Sequence, residues 1–371
     1  MNNNILNNER ALLIGVQRDG QDSNILKEHL AELKLLAETA GAEVVDEIYQ
    51  SIKRINSQFF VGKGKASQII EQAKELEVKL VIFDDELTPS QVKNFLKLSK
   101  KIKVIDRSGL ILDIFSKHAK TREAKTQVEL AHLEYMLPRL SKQWSHLERQ
   151  MGGIGTRAGM GESQIEVDRR LIRQRISKLK KDLIQIEKER RIQSKKRISK
   201  YRVSLVGYTN AGKSSLMKCL SGENVYIQNQ LFATLDTTIR KVDLDRYHSI
   251  LLSDTVGFIR KLPHDLIASF QSTLFEVVES DLVLIVLDAS SNQIKEHMNT
   301  INNVLNELGA EDIQTLVVLN KIDLVASSNR IKYLSSNYPD AVMISATNHL
   351  RINKLINKII NIMNDDYETI E

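Results

Sequence analysis

Gly207-Tyr-Thr-Asn-Ala-Gly-Lys-Ser214 is the stretch of sequence that decides the fold. It matches the pattern G-x-x-x-x-G-K-S, follows an apolar run at 203–206 and opens a helical stretch at 214–220. Its glycines let backbone N–H groups turn inward around a β-phosphate, and the following helix N-terminus adds a favourable dipole. Lys213 would then reach the β- and γ-phosphates, and the Ser214 hydroxyl would bind Mg²⁺. The stretch therefore predicts a P-loop nucleotide site at the end of a buried strand.

A second Mg²⁺ contact is predicted at the end of another apolar strand. Asp254-Thr-Val-Gly257 directly follows the strand candidate Ile250–Ser253. The Asp254 carboxylate can hold a Mg²⁺-bound water, and the Gly257 N–H can contact a γ-phosphate. D-x-x-G is a weak motif alone, but its order and its distance from the phosphate loop make it informative here.

A third motif predicts which base is bound. Asn320-Lys-Ile-Asp323 follows the strand candidate Thr315–Leu319 and matches N-K-x-D. The Asp323 carboxylate can accept hydrogen bonds from guanine N1–H and the exocyclic amine. Adenine lacks this donor pattern and would leave buried polar groups unpaired. The motif therefore predicts GTP rather than ATP, and Ser345-Ala346 fits a further loop whose backbone N–H groups contact guanine.

The segment Phe232-Ala-Thr-Leu-Asp-Thr-Thr238 lies between the phosphate loop and Asp254, where a first switch is expected. A threonine in this segment could give its hydroxyl to Mg²⁺ when the γ-phosphate is present. Spacing alone leaves three threonines open for this role: Thr234, Thr237 and Thr238.

Phe258 stands where Ras-like enzymes carry a glutamine that orients the attacking water. An apolar ring cannot orient water by hydrogen bonding, so intrinsic hydrolysis is expected to be slow. Asn210 could help to coordinate a monovalent cation such as K⁺ near the β- and γ-phosphates, or it could only brace the loop. A partner that supplies the missing group is the other alternative.

The apolar patterns divide the chain into three predicted domains. Residues 1–117 alternate short strands with amphipathic helices, which predicts a parallel α/β domain. Residues 118–200 read as two long helices around a glycine-rich tip loop at 151–161, which predicts a long antiparallel helical hairpin. Residues 201–371 return to strand–helix alternation and form the predicted Ras-like P-loop GTPase domain. The predicted fold class is therefore α/β with an inserted hairpin.

The basic residues of the chain are concentrated in one segment. The 371 residues carry 53 Lys+Arg and 47 Asp+Glu, a net charge of +6. Residues 161–200 alone hold 14 Lys+Arg against 6 Asp+Glu, so the remainder is slightly acidic. This helix could contact RNA phosphates, or it could be a solvated face with mixed ion pairs. The lone Cys219 and the absence of an 18-residue apolar run predict a cytoplasmic protein without a membrane span.

Together these features resemble the HflX family of ribosome-associated GTPases, in the Obg-HflX-like group of P-loop proteins. The resemblance covers nearly the whole chain. It rests on the GTPase motifs and on these further stretches: Phe60–Gly64, Asp85–Gln91, Val104–Asp113, Gln127–Leu140, Gly152–Arg157, Gly161–Glu162, Phe232–Asp236, Asp254–Arg260 and Leu262–Asp265.

The resemblance implies Thr234 as the Mg²⁺-contacting switch residue. It also implies binding to the large ribosomal subunit and its rRNA, with a role in ribosome splitting, rescue or subunit biogenesis. Two departures stand out. The tip sequence Arg157–Glu162 has one more residue than the family pattern and lacks its proline, and His349 stands where the family often has the glycine of S-A-x-x-G.

The hairpin tip and the start of the following helix carry the predicted RNA contacts. A glycine-rich tip allows close backbone approach to a crowded surface, and arginine can pair with phosphates or stack on bases. The tip could also be a simple connector. The candidate RNA-contacting residues are Gly155, Arg157, Arg169 and Arg170.

The GTPase motifs give a full set of predicted nucleotide contacts. Lys213, Thr234 and Gly257 are the predicted catalytic residues, and Ser214, Thr234 and Asp254 (through water) are the predicted Mg²⁺ contacts. The nucleotide-binding set is Gly207, Tyr208, Thr209, Asn210, Ala211, Gly212, Lys213, Ser214, Phe232, Ala233, Thr234, Leu235, Asp236, Asp254, Thr255, Val256, Gly257, Asn320, Lys321, Ile322, Asp323, Ser345, Ala346 and Thr347.

We therefore expect a GTPase that is monomeric when free and that acts as a switch on the ribosome. Two other classes stay open: a GTPase coupled to RNA processing or modification, and a signalling GTPase with a protein partner. The N-terminal region shows no metal-ligand cluster or paired nucleophile and base that would favour the former.

Overall fold

The structure is a computed structural model that describes residues 9–18, 23–140, 164–195, 200–222, 231–232, 235, 237–261 and 276–370. The chain divides into two compact units. One comprises Met1–Lys117 with Thr126–Leu183, and the other comprises His118–Lys125 with Ile184–Glu371. The predicted mixed α/β fold is confirmed. The three-domain boundaries stay a prediction.

The elements of the first unit are, in chain order, β1 (Glu9–Arg18), α1 (Ser23–Thr39), β2 (Ala42–Ile52), α2 (Lys63–Glu75), β3 (Leu80–Phe83), α3 (Pro89–Leu98), β4 (Lys103–Asp106) and α4 (Arg107–His118). The strands form a parallel four-stranded sheet with strand order β2-β1-β3-β4. Strands β1, β3 and β4 are largely buried, as expected when helices cover a parallel sheet, whereas the edge strand β2 is mostly half-buried or exposed.

A capping box explains why α3 begins at Pro89. The Thr88 hydroxyl accepts a hydrogen bond from the Gln91 N–H at 3.3 Å, and the Gln91 side chain accepts one from the Thr88 N–H at 2.8 Å. Proline at the first helical position lacks an N–H that the helix could not have used. Two motif residues therefore act in folding rather than in chemistry.

Two long helices follow, α5 (Arg122–Met136) and α6 (Gln164–Lys195), and a 3₁₀ turn at Leu137–Arg139 ends the first of them. Pro138 lies in that turn, in keeping with its inability to continue an α-helix. Both helices were predicted as the arms of the hairpin. The tip loop at 151–161 lies outside the described residues.

The elements of the second unit are β5 (Tyr201–Gly207), α7 (Lys213–Ser221), β6 (Thr238–Asp243), β7 (Ser249–Asp254), β8 (Leu282–Asp288), α8 (Ile294–Glu307), β9 (Gln314–Asn320), α9 (Ser328–Asn337), β10 (Val342–Met343) and α10 (Ile352–Ile370). The strands form a six-stranded sheet with strand order β10-β9-β8-β5-β7-β6. All neighbouring strands are parallel except β6, which runs antiparallel to β7 at the edge.

Apolar clusters on the two faces of this second sheet hold its central strands in place. One cluster includes Leu205, Leu284 and Ile359, and the other includes Val206, Ile285 and Phe258. Because the strands are parallel, the carboxyl ends of β5, β7, β8 and β9 meet at one edge, where doubly wound sheets bind ligands. None of the described helices is long and apolar enough to cross a membrane.

Candidate nucleotide site

The two motif glycines of the phosphate loop are required by close backbone and side-chain contacts. A Cβ on Gly207 would lie 2.3 Å from the carbonyl oxygen of Val286 on the neighbouring strand β8. Gly212 has φ +94°, and a Cβ there would lie 2.2 Å from Nδ2 of Asn320. Neither position can accept a side chain unless the surrounding atoms shift. The two glycines of G-x-x-x-x-G are therefore required by packing, and they also let the backbone come close to a phosphate.

Lys213 opens helix α7 and is buried inside the loop that it closes. Its Nζ donates hydrogen bonds to the carbonyl oxygens of Gly207 at 3.0 Å and Tyr208 at 3.1 Å. Burial lowers the pKa of Lys213 to about 8, although nearby Asp254 acts in the opposite direction. The ammonium is therefore held at the centre of the phosphate loop by backbone acceptors.

Ser214 and Asp254 come together at the carboxyl edge of the sheet. The Ser214 hydroxyl donates a hydrogen bond to the Asp254 carboxylate at 2.7 Å, and Asp254 is only 2% exposed. Thr255 fixes the next position, because its hydroxyl donates to the Leu205 carbonyl at 2.7 Å. A hydroxyl and a carboxylate are oxygen donors of the kind that Mg²⁺ prefers, so this pair fits the ion that the P-loop fold implies.

The first switch is only partly described. Phe232 and Leu235 are each 2% exposed, and Phe232 has a positive φ of 55°. Thr238, one of the alternatives left open for the Mg²⁺ contact, begins β6 and is paired with Asp254 in the antiparallel ladder. Thr237, another of these alternatives, is half-buried just before β6. Ala233, Thr234 and Asp236 of the predicted switch lie outside the described part of the chain.

The D-x-x-G segment is packed tightly against the phosphate loop. A Cβ on Gly257 would lie 2.9 Å from Cγ2 of Thr209 and 3.0 Å from Nζ of Lys213. Phe258 is 1% exposed and belongs to an apolar cluster with Val206. Its ring is therefore packed in the core, and that this residue cannot orient water stays a prediction.

Asn320 connects three loops of the site. Its Nδ2 donates to the Ala211 carbonyl at 3.0 Å, and its Oδ1 accepts from the Ala346 N–H at 3.0 Å. Lys321 has φ +61°, and its Nζ forms an ion pair with Asp288 at 2.8 Å. The N-K-x-D motif therefore joins the phosphate loop to the loop 345–350, which is predicted to contact guanine.

Ile322 and Asp323 lie in a short 3₁₀ turn at Ile322–Leu324. The Ile322 N–H donates to the carbonyl of Ile344 at 3.2 Å, which attaches this turn to the residue between β10 and the loop 345–350. Asp323 is exposed, so its carboxylate is accessible to a base.

The loop 345–350 is a closed turn. Ser345 and Leu350 exchange backbone hydrogen bonds of 3.2 and 3.0 Å. Ser345 and Ala346 are buried, whereas Thr347 is exposed. His349 has φ +52°, which is the left-handed conformation that glycine adopts without strain. The family preference for glycine at this position therefore has a backbone explanation.

Asn210, the predicted monovalent-cation contact, has φ +61° and an exposed side chain. Thr209 beside it is buried, and its N–H donates to the Phe258 carbonyl at 2.7 Å. Asn210 thus projects from a loop whose neighbouring residue is fixed. Its role in cation binding stays a prediction.

The predicted RNA contacts are only partly described. Gly155 and Arg157 lie outside the described residues. Arg169 is half-buried and donates to the Leu140 carbonyl at 3.2 Å, so its guanidinium joins α6 to the end of the preceding segment. Arg170 lies one residue further along the same helix.

Sequence reasoning named Tyr208 as a nucleotide contact but missed the hydrogen bond that its hydroxyl accepts from the Arg260 N–H. Tyr208 lies at a variable position of the phosphate-loop motif, so the motif gives no reason to expect a particular side chain there. Sequence reasoning also missed Asp288 as the ion-pair partner of Lys321. Only the position of Asp288 at the end of an apolar strand could have suggested it.

Three protein families match successive parts of the chain. Residues 27–116 match the family described as GTP-binding GTPase N-terminal, 118–197 match GTP-binding GTPase Middle Region, and 202–321 match 50S ribosome-binding GTPase. The GTPase HflX of Flavobacterium psychrophilum is 48% identical over 86% of this chain and 76% of its own length. The GTPase HflX of Escherichia coli is 45% identical over 91% and 79%, respectively.

A solved structure, described as the complex of SsGBP and GDP, is similar over 96% of this chain and 99% of that chain. Its TM-score is 0.53 and its sequence identity is 28%. The fold and the phosphate loop thus define a P-loop GTPase, which binds GTP and hydrolyses it to GDP and phosphate. The identity to the two relatives above also shows the family within this class. The chain belongs to the HflX family of GTPases.

Proposed function

We propose that this GTPase binds the large ribosomal subunit through rRNA and acts as a GTP-dependent switch in ribosome splitting, rescue or biogenesis. GTP would order the two switch segments, and hydrolysis would release them. The protein would be monomeric when free and would act in the cytoplasm, where ribosomes are. The observation that carries the proposal is the separation of charges on helix α6.

Two basic residues of α6 are paired with acids of α5. Arg175 makes two hydrogen bonds to the Glu129 carboxylate, at 2.6 and 2.7 Å, and Lys180 lies 2.8 Å from Glu134. The buried Leu179 lies between the two paired residues along the helix. Their charges are therefore used within the hairpin.

Other basic residues of α6 are exposed and lie well around the helix from the buried Leu179. Arg173, Lys178 and Lys181 are exposed, and helical geometry places each of them 100° or more around the axis from Leu179. They span about 12 Å along the helix. Such an outward basic stripe suits a polyanion surface, on which binding releases counterions. We call Arg173, Lys178 and Lys181 the outer stripe.

The nucleotide site supplies the switch. Ser214, Asp254 (through water) and Thr234 would hold Mg²⁺, which when bound neutralises charge on the β- and γ-phosphate oxygens. Lys213 and the Gly257 N–H would contact the γ-phosphate, Asp323 would contact guanine, and the other motif residues would line the pocket. Phe258 offers no polar group to the attacking water, so the ribosome is proposed to stimulate hydrolysis.

Sedimentation with purified ribosomal subunits tests the proposal. The protein should pellet with the large subunit in a non-hydrolysable GTP analogue and less so in GDP, and added subunits should raise the hydrolysis rate. Arg157→Ala should weaken pelleting but leave GDP affinity unchanged. Failure to bind either subunit would instead favour a signalling or RNA-processing GTPase.

A separate proposal concerns the monovalent cation. Asn210, exposed on the phosphate loop, would coordinate K⁺, whose charge would offset the negative charge that develops in the transition state. Hydrolysis in K⁺ should then exceed hydrolysis in Na⁺ at the same ionic strength. Equal rates in the two salts would leave Asn210 only a bracing role.

A further inference from the structure

Tyr208, the residue after the first glycine of the phosphate loop, contacts the segment 257–260 through both its backbone and its side chain. Tyr208 forms a parallel bridge with Phe258. In this bridge the Phe258 N–H donates to the Gly207 carbonyl at 3.0 Å, and the Thr209 N–H donates to the Phe258 carbonyl at 2.7 Å. The Tyr208 hydroxyl oxygen then accepts a hydrogen bond from the Arg260 N–H at 2.7 Å.

The tyrosine ring is itself held by helix α8. Tyr208 is 6% exposed, and its ring is stacked on His297, with centroids 3.9 Å apart and an angle of 17° between the planes. Burial lowers the pKa of His297 to about 4, so the imidazole is neutral at neutral pH and no charge is buried against the ring. The stack therefore sets the direction of the hydroxyl.

The segment 257–260 is consequently fixed at two points. The Phe258 ring is anchored in the core, and the Arg260 backbone is anchored by the Tyr208 hydroxyl. Gly257 lies just before these anchors and packs against Thr209 and Lys213 without space for a Cβ. The direction of the Gly257 N–H thus depends on how firmly the two anchors hold.

We propose that Tyr208 is a positioning residue for GTP hydrolysis, which acts through Arg260 and Phe258 to hold the Gly257 N–H towards the γ-phosphate. This rests on the proposed contact between Gly257 and that phosphate. Asn320 and Lys213 do not depend on the hydroxyl oxygen of Tyr208, because their side chains donate to backbone carbonyls of the phosphate loop. Removing the oxygen should therefore affect turnover more than binding.

Tyr208→Phe tests this, since it removes one oxygen and keeps the ring. An unpaired Arg260 N–H destabilises the ordered segment, and we expect kcat to fall about 10-fold with KM and GDP affinity within two-fold. His297→Ala removes the stack and should lower kcat by a smaller factor. The matched control is Tyr333→Phe on α9, a partly exposed tyrosine outside the site, which should keep wild-type kcat.

Rates should be measured without and with ribosomal subunits, and thermal unfolding should verify that each variant folds. A wild-type kcat for Tyr208→Phe would overturn the proposal. So would an equal loss of GDP affinity, which would indicate a general structural role. If subunits fail to stimulate the wild-type protein, the ribosome proposal fails, but the intrinsic rates still decide the role of Tyr208.

Discussion

At the scale of single residues, the burial of Lys213 makes the folding stability depend on pH. Its pKa is lowered to about 8 because burial disfavours the charged form. Between about pH 8 and the unfolded value of 10.5, the unfolded chain binds more protons than the folded chain. The contribution of Lys213 to folding stability therefore rises with pH through this window. At neutral pH the buried ammonium is a cost that a bound phosphate can offset.

Nucleotide affinity should have the opposite pH dependence. A bound phosphate favours the protonated lysine, so GDP binding should take up a proton, and affinity should fall about four-fold between about pH 7 and pH 8.5. Calorimetric titration in buffers of different ionisation enthalpy measures both quantities. In Lys213→Arg the cation stays charged, so the residual affinity should be independent of pH over this range. A pH-independent wild type would contradict the prediction.

Gly207 tests the packing of the phosphate loop against strand β8. In Gly207→Ala the new Cβ would lie 2.3 Å from a backbone carbonyl oxygen that cannot rotate away. The strands must separate, and we expect a loss of about 2–3 kcal/mol in the free energy of unfolding, together with weaker GDP binding. Urea denaturation and GDP titration measure the two effects.

Gly62→Ala is the matched control for that substitution. Gly62 precedes α2 with φ −61°, and an added Cβ would meet no atom within 4 Å. Its effect on unfolding should stay within about 0.5 kcal/mol of zero. A comparable loss in both variants would show that the cost comes from the backbone rather than from the contact with β8.

At the scale of elements, one carboxylate joins the first sheet to the hairpin. Asp106, fully buried at the end of β4, accepts hydrogen bonds from the Leu87 and Gly109 N–H groups at 3.0 and 2.9 Å. It also accepts from the Tyr135 hydroxyl at 2.7 Å and from Arg139 at 3.1 Å. Burial first, and then the charge of Asp106, raise the pKa of Tyr135 well above its usual value, so Tyr135 stays a donor.

Asp106→Ala should therefore be strongly destabilising. It would leave Arg139 and two backbone N–H groups without their carboxylate, and we expect a loss of about 3–5 kcal/mol in the free energy of unfolding. Asp113→Ala is the control, because Asp113 is 43% exposed and lies 3.9 Å from Lys103. That change should cost under about 1 kcal/mol. Equal losses in urea denaturation would refute the special role of Asp106.

Element by element, the sequence was informative where apolar runs are continuous. Strands such as β3 and β8 were predictable because both of their faces are buried. Strand β6 was not predicted, because it lies at the sheet edge, four of its six residues are charged or polar, and only Val242 is buried. The order of the strands was not predictable either, since it depends on pairings between distant segments.

The candidate site likewise contains residues that the sequence predicts and contacts that it does not. The motif residues were predictable because phosphate and guanine contacts require particular residue types at particular spacings. The link from Asn320 to Ala211 and Ala346, and the contact of Tyr208 with Arg260, were not. These contacts depend on where loops from separate strands meet in the fold, which the spacing of residues along the sequence does not reveal.

At the scale of the whole molecule, charge is distributed unevenly rather than in excess. The net charge of +6 conceals a basic segment at 161–200 in an otherwise slightly acidic chain. Within that segment, Arg175 and Lys180 are neutralised by the other arm, and Arg169 contacts a carbonyl. The outer stripe lacks these pairings and is one surface of the segment where electrostatic attraction to RNA is expected.

This distribution predicts the salt dependence of ribosome binding. Replacing the three outer-stripe residues with glutamine should weaken binding to the large subunit and reduce the slope of log affinity against log salt by about two to three. A matched triple replacement of Lys93, Lys97 and Lys100, exposed residues in and just after α3, changes the net charge by the same amount. If the outer stripe contacts phosphates, only the first triple variant should change the slope, because counterion release depends on contact and not on total charge. Equal slopes for the two variants would place the RNA-binding surface elsewhere on the protein.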